Sequence, residues 1–378
     1  MEINTDDVVN QCLKAIKNKV KNLCNLNVMV IGKSGVGKST LINTVFRGNF
    51  AETGVGKPVT KDIRRIDKQD YPLSIYDTPG FELGKDQQDT VKEEILDIIR
   101  KGALSRDINK LIHCIWYCVN VGGNRTFDDE ELKWIRDFSR SNVENHVPII
   151  IVLTQAVPKI KAAEMKTLIE KENLEIIKIV PVLAQDMDFD GEYIAHAYGL
   201  DRLIDVMSAA LPAELQDSIQ NMQKVSLEAK KKYSQTAVAA AVATSFGEGC
   251  APIPFSDAAL LVPTQVAMLA GITVIFGIDV DKSFLTCLVS STIGSGGATI
   301  LGKTFVSNVL KLIPGVGTVV GGAISGATAS LITTALGEAY IQLMVMIYKG
   351  ELKKEDLTGD KGKETMFTLF KTQLKNSK

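Results

Sequence analysis

One short run, Gly32-Lys33-Ser34-Gly35-Val36-Gly37-Lys38-Ser39-Thr40, constrains this chain more than anything else in it. Its spacing is GxxxxGK[ST], and it stands where the apolar stretch Asn27–Ile31 gives way to a helical pattern over Lys38–Phe46. Strand, loop and helix in that order hold phosphate. The glycines let the loop wrap closely, so that backbone N–H groups point inward. The helix N-terminus adds positive potential at the same place. Lys38 is expected to reach the β- and γ-phosphates of a nucleotide, and the Ser39 hydroxyl to ligate magnesium.

The surrounding pattern agrees with that reading. Short apolar runs at Ile63–Asp67, Leu73–Asp77, Leu111–Val119, Val147–Thr154 and Ile176–Leu183 read as strands. Helical spacing occupies Thr90–Lys101, Asp128–Ser139, Ala162–Lys171 and Leu200–Leu211 between and after them. Such alternation predicts a mainly parallel sheet covered on both faces, an α/β domain. Asp77-Thr78-Pro79-Gly80 ends the third of these strands, counting Asn27–Ile31 as the first. Asp77 there is placed to hold magnesium through water, and the Gly80 N–H to approach the γ-phosphate. Between the two motifs, Thr60 in Lys57-Pro58-Val59-Thr60 is the candidate for a second hydroxyl on the metal, with Thr53 its rival. A threonine in such a loop senses the γ-phosphate and relaxes once it leaves.

In this order and spacing the motifs resemble the translation-factor-related P-loop GTPases. Ser34 ahead of the second glycine is similar to the septin, immunity-associated and Era-like branches. The resemblance covers roughly residues 26–211 and implies GTP and GDP as ligands, Mg2+ as cofactor, and a homodimer across the nucleotide face. Two positions depart from the family pattern. Its guanine-reading motif, [NT]KxD, stands here as Thr154-Gln155-Ala156-Val157, so the carboxylate that would accept from guanine N1–H and the 2-amino group is Val157. Gln155 can still lie against the base, and the Ala184 N–H in Val182-Leu183-Ala184-Gln185 is available to a base oxygen. Guanine is the expected base, with relaxed purine specificity the alternative. The second departure is Phe81 after Gly80, where many family members carry a water-orienting glutamine. Slow intrinsic hydrolysis follows, or a group supplied from elsewhere; Arg125 in Gly122-Gly123-Asn124-Arg125-Thr126 is one candidate, against a merely solvated arginine. His113, inside a strand, reads as structural.

The second half of the chain has another character. Ser234–Tyr348 holds eight Asp, Glu, Lys or Arg residues in 115, about a third of what the chain-wide 23% would give. Two stretches carry no formal charge, Ala258–Ile278 over 21 residues and Leu312–Gly337 over 26. By length each spans a bilayer. Pro263, Thr264, Gln265 and Gly271 interrupt the first, however, and the second is rich in Gly, Ser and Thr, so a tightly packed soluble bundle competes with a membrane hairpin. Ala251-Pro252-Ile253-Pro254-Phe255-Ser256-Asp257 and Lys311-Leu312-Ile313-Pro314-Gly315-Val316-Gly317 resemble an uncharacterised hydrophobic domain attached to small GTPases. The plan is similar, more loosely, to immunity-related GTPases, whose two chain ends build one helical bundle; the amphipathic Asp6–Leu23 segment fits it. That segment also carries a lysine face, read as solvated rather than lipid-bound.

The chain is thus divided into an N-terminal helix (1–25), the P-loop domain (26–211), a charged helical connector (212–233), the hydrophobic helical domain (234–348) and a charged C-terminal helix (349–378) with a Met366, Phe367, Phe370, Leu374 stripe. A net charge of −1 argues against capture of nucleic acid. Six cysteines without a CxxC pair or a secretory signal point to an intracellular, reducing location, cytoplasmic or at a membrane periphery. Cys114 and Cys118 fall on one face of a strand as buried thiols. Taken together, the expectation is a GTP-dependent switch or assembly GTPase, with the helical domain as its effector surface and a membrane or membrane protein as possible partner. Two alternatives stand beside it: a pseudo-GTPase or relaxed-specificity NTPase scaffold, and a membrane-remodelling or pore-forming effector.

Overall fold

A computed structural model describes residues 5–51, 63–79, 85–122, 129–248, 253–254, 261–293, 323–324, 326–357 and 360–376. The chain divides into two compact units. One is Leu23–Ser226, and the other joins Met1–Asn22 to Leu227–Lys378.

The Leu23–Ser226 unit is built on six strands: β1 (Leu26–Ile31), β2 (Arg64–Asp67), β3 (Leu73–Asp77), β4 (Cys114–Asn120), β5 (Ile149–Thr154) and β6 (Lys178–Pro181). Their order is β2-β3-β1-β4-β5-β6, parallel throughout except for antiparallel β2. Every residue of β1 and β5 is buried, which is why both read as unbroken apolar runs. Edge strand β2 is charged and largely exposed; Arg65 pairs with Asp67 on its own strand and reaches the Ser74 hydroxyl on β3. Strand order reverses about β1, with β3 on one side and β4 on the other, and ligands of open α/β sheets bind at such a reversal.

Residue parity on the strands sorts the two faces. Met29, Ile31, Ile115, Tyr117, Val119, Ile149, Ile151 and Leu153 point to one side. There they meet Val91, Ile95 and Ile99 of α3 (Lys85–Leu104), and Trp134, Ile135 and Phe138 of α4 (Asp129–Ser141). On the other face Trp116 stacks on Phe46, which follows α2 (Lys38–Val45), with ring centroids 5.4 Å apart and planes 6° off parallel. Helices α5 (Lys159–Glu170), α6 (Leu200–Ala210) and α7 (Gln216–Met222) follow β5 and β6 along the chain.

Several boundaries differ from the sequence reading. Strand β4 opens at Cys114 rather than Leu111, because residues 108–113 form a turn that feeds hydrogen bonds to β1. Asn27 Nδ2 donates to the carbonyls of Asn109 and Leu111, and the Asn27 N–H donates to His113 Nδ1. Helix α3 starts at Lys85, five residues before the expected Thr90, with six polar residues ahead of its first apolar one, Val91. A hairpin of β7 (Met187–Phe189) and β8 (Tyr193–Ala195) was not anticipated. Its turn residues Asp190 and Gly191 have φ of 54° and 77°, the backbone for which an Asp-Gly pair is suited.

The second unit is helical: α1 (Thr5–Lys21), α8 (Leu227–Glu248), α9 (Val262–Phe276), α10 (Lys282–Ile293), α11 (Gly326–Tyr348) and α12 (Asp360–Asn376), with a two-residue bridge between β9 (Ile253–Pro254) and β10 (Ala323–Ile324). Small residues let its helices approach. A Cβ at Gly337 of α11 would lie 2.6 Å from Val238 of α8 and 3.0 Å from the Met268 sulfur of α9. Lys230, 1% exposed, closes the C-terminus of α9 by donating to the Ile275 and Phe276 carbonyls at 2.8 and 3.3 Å, with the Tyr348 ring 5.7 Å away. Met366, Phe370 and Leu374 of α12 are buried, but Phe367 is 45% exposed and leaves the expected stripe, since it sits one residue round the helix from Met366.

The charge-free stretches also shift. Helix α9 has 15 residues; at ~1.5 Å per residue that is about 22 Å, short of a hydrocarbon core of about 30 Å. In the second stretch, residues 312–322 lie outside the described residues. Helix α11 begins beyond them and is long and apolar enough to cross a membrane, although more than half of its most apolar window is buried within the unit.

Candidate functional site

At the C-terminal end of β1 the chain turns through Gly32, Gly35 and Gly37, with φ of 150°, 76° and 94°. Only glycine adopts such angles without strain. Gly32 is tighter still, since a Cβ there would run into the Cys118 carbonyl of β4. Gly37 caps α2 in the left-handed region with no side chain bonded across the helix N-terminus. The first-turn N–H groups therefore face the loop, the arrangement that holds an anion. Lys38, the first residue of α2, donates from Nζ to the Gly32 carbonyl at 2.8 Å and the Lys33 carbonyl at 3.2 Å. Those bonds bend the side chain back over the loop, with its ammonium at the loop's mouth. Ser39 and Thr40 follow, half-buried.

The neighbouring strands fix this loop in place. Thr154, at the end of β5 and 4% exposed, donates to the Val36 carbonyl at 2.6 Å and lies 3.1 Å from the Val119 carbonyl. Asp77 ends β3 and pairs in register with Val30 of β1. Thr78 is tied to the Val30 carbonyl through its N–H and its hydroxyl. Burial pushes the Cys118 thiol up to about 12, with Lys38 opposing and Asp77 reinforcing the shift, so both charges lie beside this one thiol under the loop. Ser39 and Asp77 are hard oxygen donors at adjacent element ends, and that donor set fits Mg2+ rather than a softer metal.

The other end of the cleft is made by the loops after β5 and β6. Gln155 has φ of 48°; its amide nitrogen lies 3.7 Å from where a Gly37 Cβ would be, and its carbonyl approaches Gly122. The side chain thus runs between the phosphate loop and the loop after β4. Tyr198 closes the corner, donating to the Ala156 carbonyl at 2.6 Å and pairing its backbone with Leu183. Ala184 follows that pair, half-buried, and Val157 is half-buried beside Gln155.

Of the residues predicted from sequence, the structure brings together Gly32, Lys33, Ser34, Gly35, Val36, Gly37, Lys38, Ser39, Thr40 and Asp77 at the phosphate end. Thr154, Gln155 and Ala184 stand at the other end, where β5 and β6 give way to their loops. Thr60 and Gly80, with Thr53, Phe81 and Arg125, lie outside the described residues. The Lys33 side chain pairs with Glu131 of α4, 2.8 Å away, while its carbonyl accepts from Lys38. Glu131, Tyr198 and the Cys118 carbonyl were missed by sequence reasoning; Glu131 is the last of four consecutive acids, and nothing in that run marks the one that is buried. His113 accepts from Asn27 N–H and lies 2.8 Å from the Ile108 carbonyl, at the opposite strand ends from the cleft. Burial lowers its pKa to about 4. The described cysteines, Cys12, Cys24, Cys114, Cys118 and Cys287, are free thiols.

Sheet order, a glycine loop at the strand-order reversal, and a lysine folded over that loop give the fold of a P-loop GTPase domain. Known proteins agree: residues 27–155 match the family model described as 50S ribosome-binding GTPase. Among curated relatives, neuronal-specific septin-3 of Danio rerio is 27% identical over 219 residues, covering 50% of this chain and 57% of the relative. Septin CDC11 of Candida albicans is 27% identical over 218 residues, covering 51% and 53%. The chain thus spans about half the length of those curated relatives. Among solved structures, a probable GTP-binding protein engB matches with TM-score 0.33 and 21% identity over 49% of this chain and 97% of its own. Era of Aquifex aeolicus, bound to GDP.AlF4-, matches with TM-score 0.32 and 22% identity over 49% and 56%.

Proposed function

We propose that the Leu23–Ser226 unit binds GTP with Mg2+ and hydrolyses it slowly to GDP and phosphate, as a nucleotide-dependent switch or assembly GTPase. The observation that carries this reading is Lys38, bent over the glycine loop onto the Gly32 and Lys33 carbonyls with Asp77 close by. In that position its ammonium would meet the β- and γ-phosphate oxygens, and the loop N–H groups would take the rest of the charge. Ser39 and Asp77, with Thr60, would hold the metal, whose charge neutralises the oxygens between the transferred and leaving phosphates. The Gly80 N–H would meet the γ-phosphate. Phe81 cannot orient water, so the rate without a partner is low. A second copy of the chain across the nucleotide face is the natural source of the missing group.

At the base end, Gln155 would lie along the ring and the Ala184 N–H would donate to the guanine oxygen. Val157 favours a second reading, an NTPase of relaxed purine specificity, because no carboxylate at that position receives the guanine 2-amino group. The helical unit would read the nucleotide state out to a partner, at a membrane if α11 leaves its neighbours. Phosphate release under single-turnover conditions tests the chemistry. The proposal expects slow release from the wild type and none from Lys38→Ala; equal release from both, or none from either, contradicts it. Liposome flotation with and without nucleotide tests the membrane arm, and no flotation in either state removes it.

A further inference from the structure

Two facts about Lys33 are unexplained by anchoring phosphate alone. Its carbonyl is one of the two that hold the Lys38 ammonium, at 3.2 Å. Its own ammonium rests on a carboxylate of α4, Glu131 Oε2, at 2.8 Å. The Glu131 side chain is 5% exposed and that of Lys33 20%. A carboxylate so buried is costly to leave without a charged partner, so the pair resists opening. Holding the Lys33 side chain restrains the residue whose carbonyl Lys38 rests on. The other anchors of the loop act elsewhere: Gly32 packs on Cys118, and Thr154 holds the Val36 carbonyl. Without Glu131 the Lys33 residue loses a restraint, and the carbonyl that guides Lys38 is held less firmly.

We infer that Glu131 is a positioning residue for the phosphate-binding lysine: through Lys33 it sets the carbonyl that aims Lys38, so α4 helps determine how tightly the nucleotide's β- and γ-phosphates are held. This rests on the GTP-binding reading above, and deepens it by connecting phosphate affinity to a helix outside the phosphate loop.

The test is a binding cycle on the full chain, with Mg2+ and fluorescently labelled GTP. The variants are Glu131→Gln, Lys33→Met, the double variant, and Lys33→Arg. Each single neutralisation is expected to weaken binding about tenfold, and the double variant to be no weaker than the poorer single, because the two side chains act as one unit. Lys33→Arg keeps the cation and the reach, so it should return affinity to within about threefold of wild type. A passive packing role would not give that rescue. Thermal unfolding of each nucleotide-free variant runs alongside. If Glu131→Gln does not fold, Lys33→Met against Lys33→Arg carries the test, since Lys33 is the more exposed partner. Singles within twofold of wild type overturn the inference, as do losses that multiply in the double variant or a Lys33→Arg as weak as Lys33→Met. A wild type that binds no GTP at all overturns the functional reading, and the inference with it.

Discussion

The two ends of the cleft are built to different standards. At the glycine-loop end the main anchors are local: positive-φ glycines, a helix N-terminus and a lysine bent onto carbonyls of its own loop. The neighbouring strands brace them through Thr154 and Cys118. The base end depends on two loops that meet through the Tyr198–Ala156 hydrogen bond, and it carries Val157 where a guanine-reading carboxylate would stand. Phosphate recognition needs only backbone dipoles and one cation, so it survives in any chain that keeps the spacing. Base recognition needs particular side-chain acceptors, and can drift while the phosphates remain bound. Affinity in this site should therefore come mainly from the glycine-loop end, and selectivity from the weaker one.

The sharpest way to break that contrast is Lys38→Ala. Removing a charge-assisted contact to two phosphates should lower GTP affinity by about a hundredfold or more, measured by titration with labelled nucleotide; a loss under tenfold would mean that the phosphate end does not dominate. Next is Gly32→Ala, which places a Cβ against the Cys118 carbonyl at a φ of 150°. It should cost about 2–4 kcal/mol of stability in denaturant unfolding and distort the loop. Thr154→Val tests whether the ends are separable, because this base-end threonine bonds to the Val36 carbonyl in the phosphate loop. A loss of about 1–2 kcal/mol is expected, together with weaker binding of GTP and ATP alike; a loss confined to GTP would make Thr154 a base-reading residue instead. Val157→Asp should act only on selectivity, raising the ratio of GTP to ATP affinity by about 1–3 kcal/mol in parallel titrations.

His113→Gln should leave the nucleotide untouched, since His113 lies at the opposite strand ends, but it alters the response to acid. The folded pKa of about 4 lies below the ordinary 6.5, so the unfolded chain binds the extra proton first. The stability held by neutral His113 is complete above pH 6.5 and is lost as pH falls from 6.5 towards 4. It amounts to about 3 kcal/mol at most. Unfolding measured across that window should slope less steeply in the variant than in wild type.

Where physical signals are local, the sequence carried them. Strand β3 falls on Leu73–Asp77 as read, and β1 and α2 differ by a residue, because hydrophobic periodicity and the glycine spacing are properties of neighbouring residues. Polar helix starts are invisible to the same method, as the first turn of α3 shows. The β7–β8 hairpin was marked by Asp190-Gly191, a turn signal outside any long apolar alternation. Charge-poor composition identified a helical unit, but not that Lys230 would be buried at the end of α9, since a lysine in a charged stretch reads as solvated. In the site, the glycine loop, Lys38 and Asp77, picked out by spacing, stand at the ends of the adjacent strands β1 and β3. Glu131 was not, because its pairing with Lys33 joins positions 98 apart in sequence and exists only once α4 packs beside the phosphate loop.

The most direct test of the account is the affinity of the magnesium-loaded wild-type chain for labelled GTP, GDP and ATP, measured side by side. Binding of GTP at least about tenfold tighter than ATP, roughly 1.4 kcal/mol, is the predicted result. It would mean that Gln155 and Ala184 read guanine without a carboxylate at 157. Equal binding of GTP and ATP would contradict the guanine assignment while leaving the phosphate site intact, and no binding of either would contradict the account as a whole.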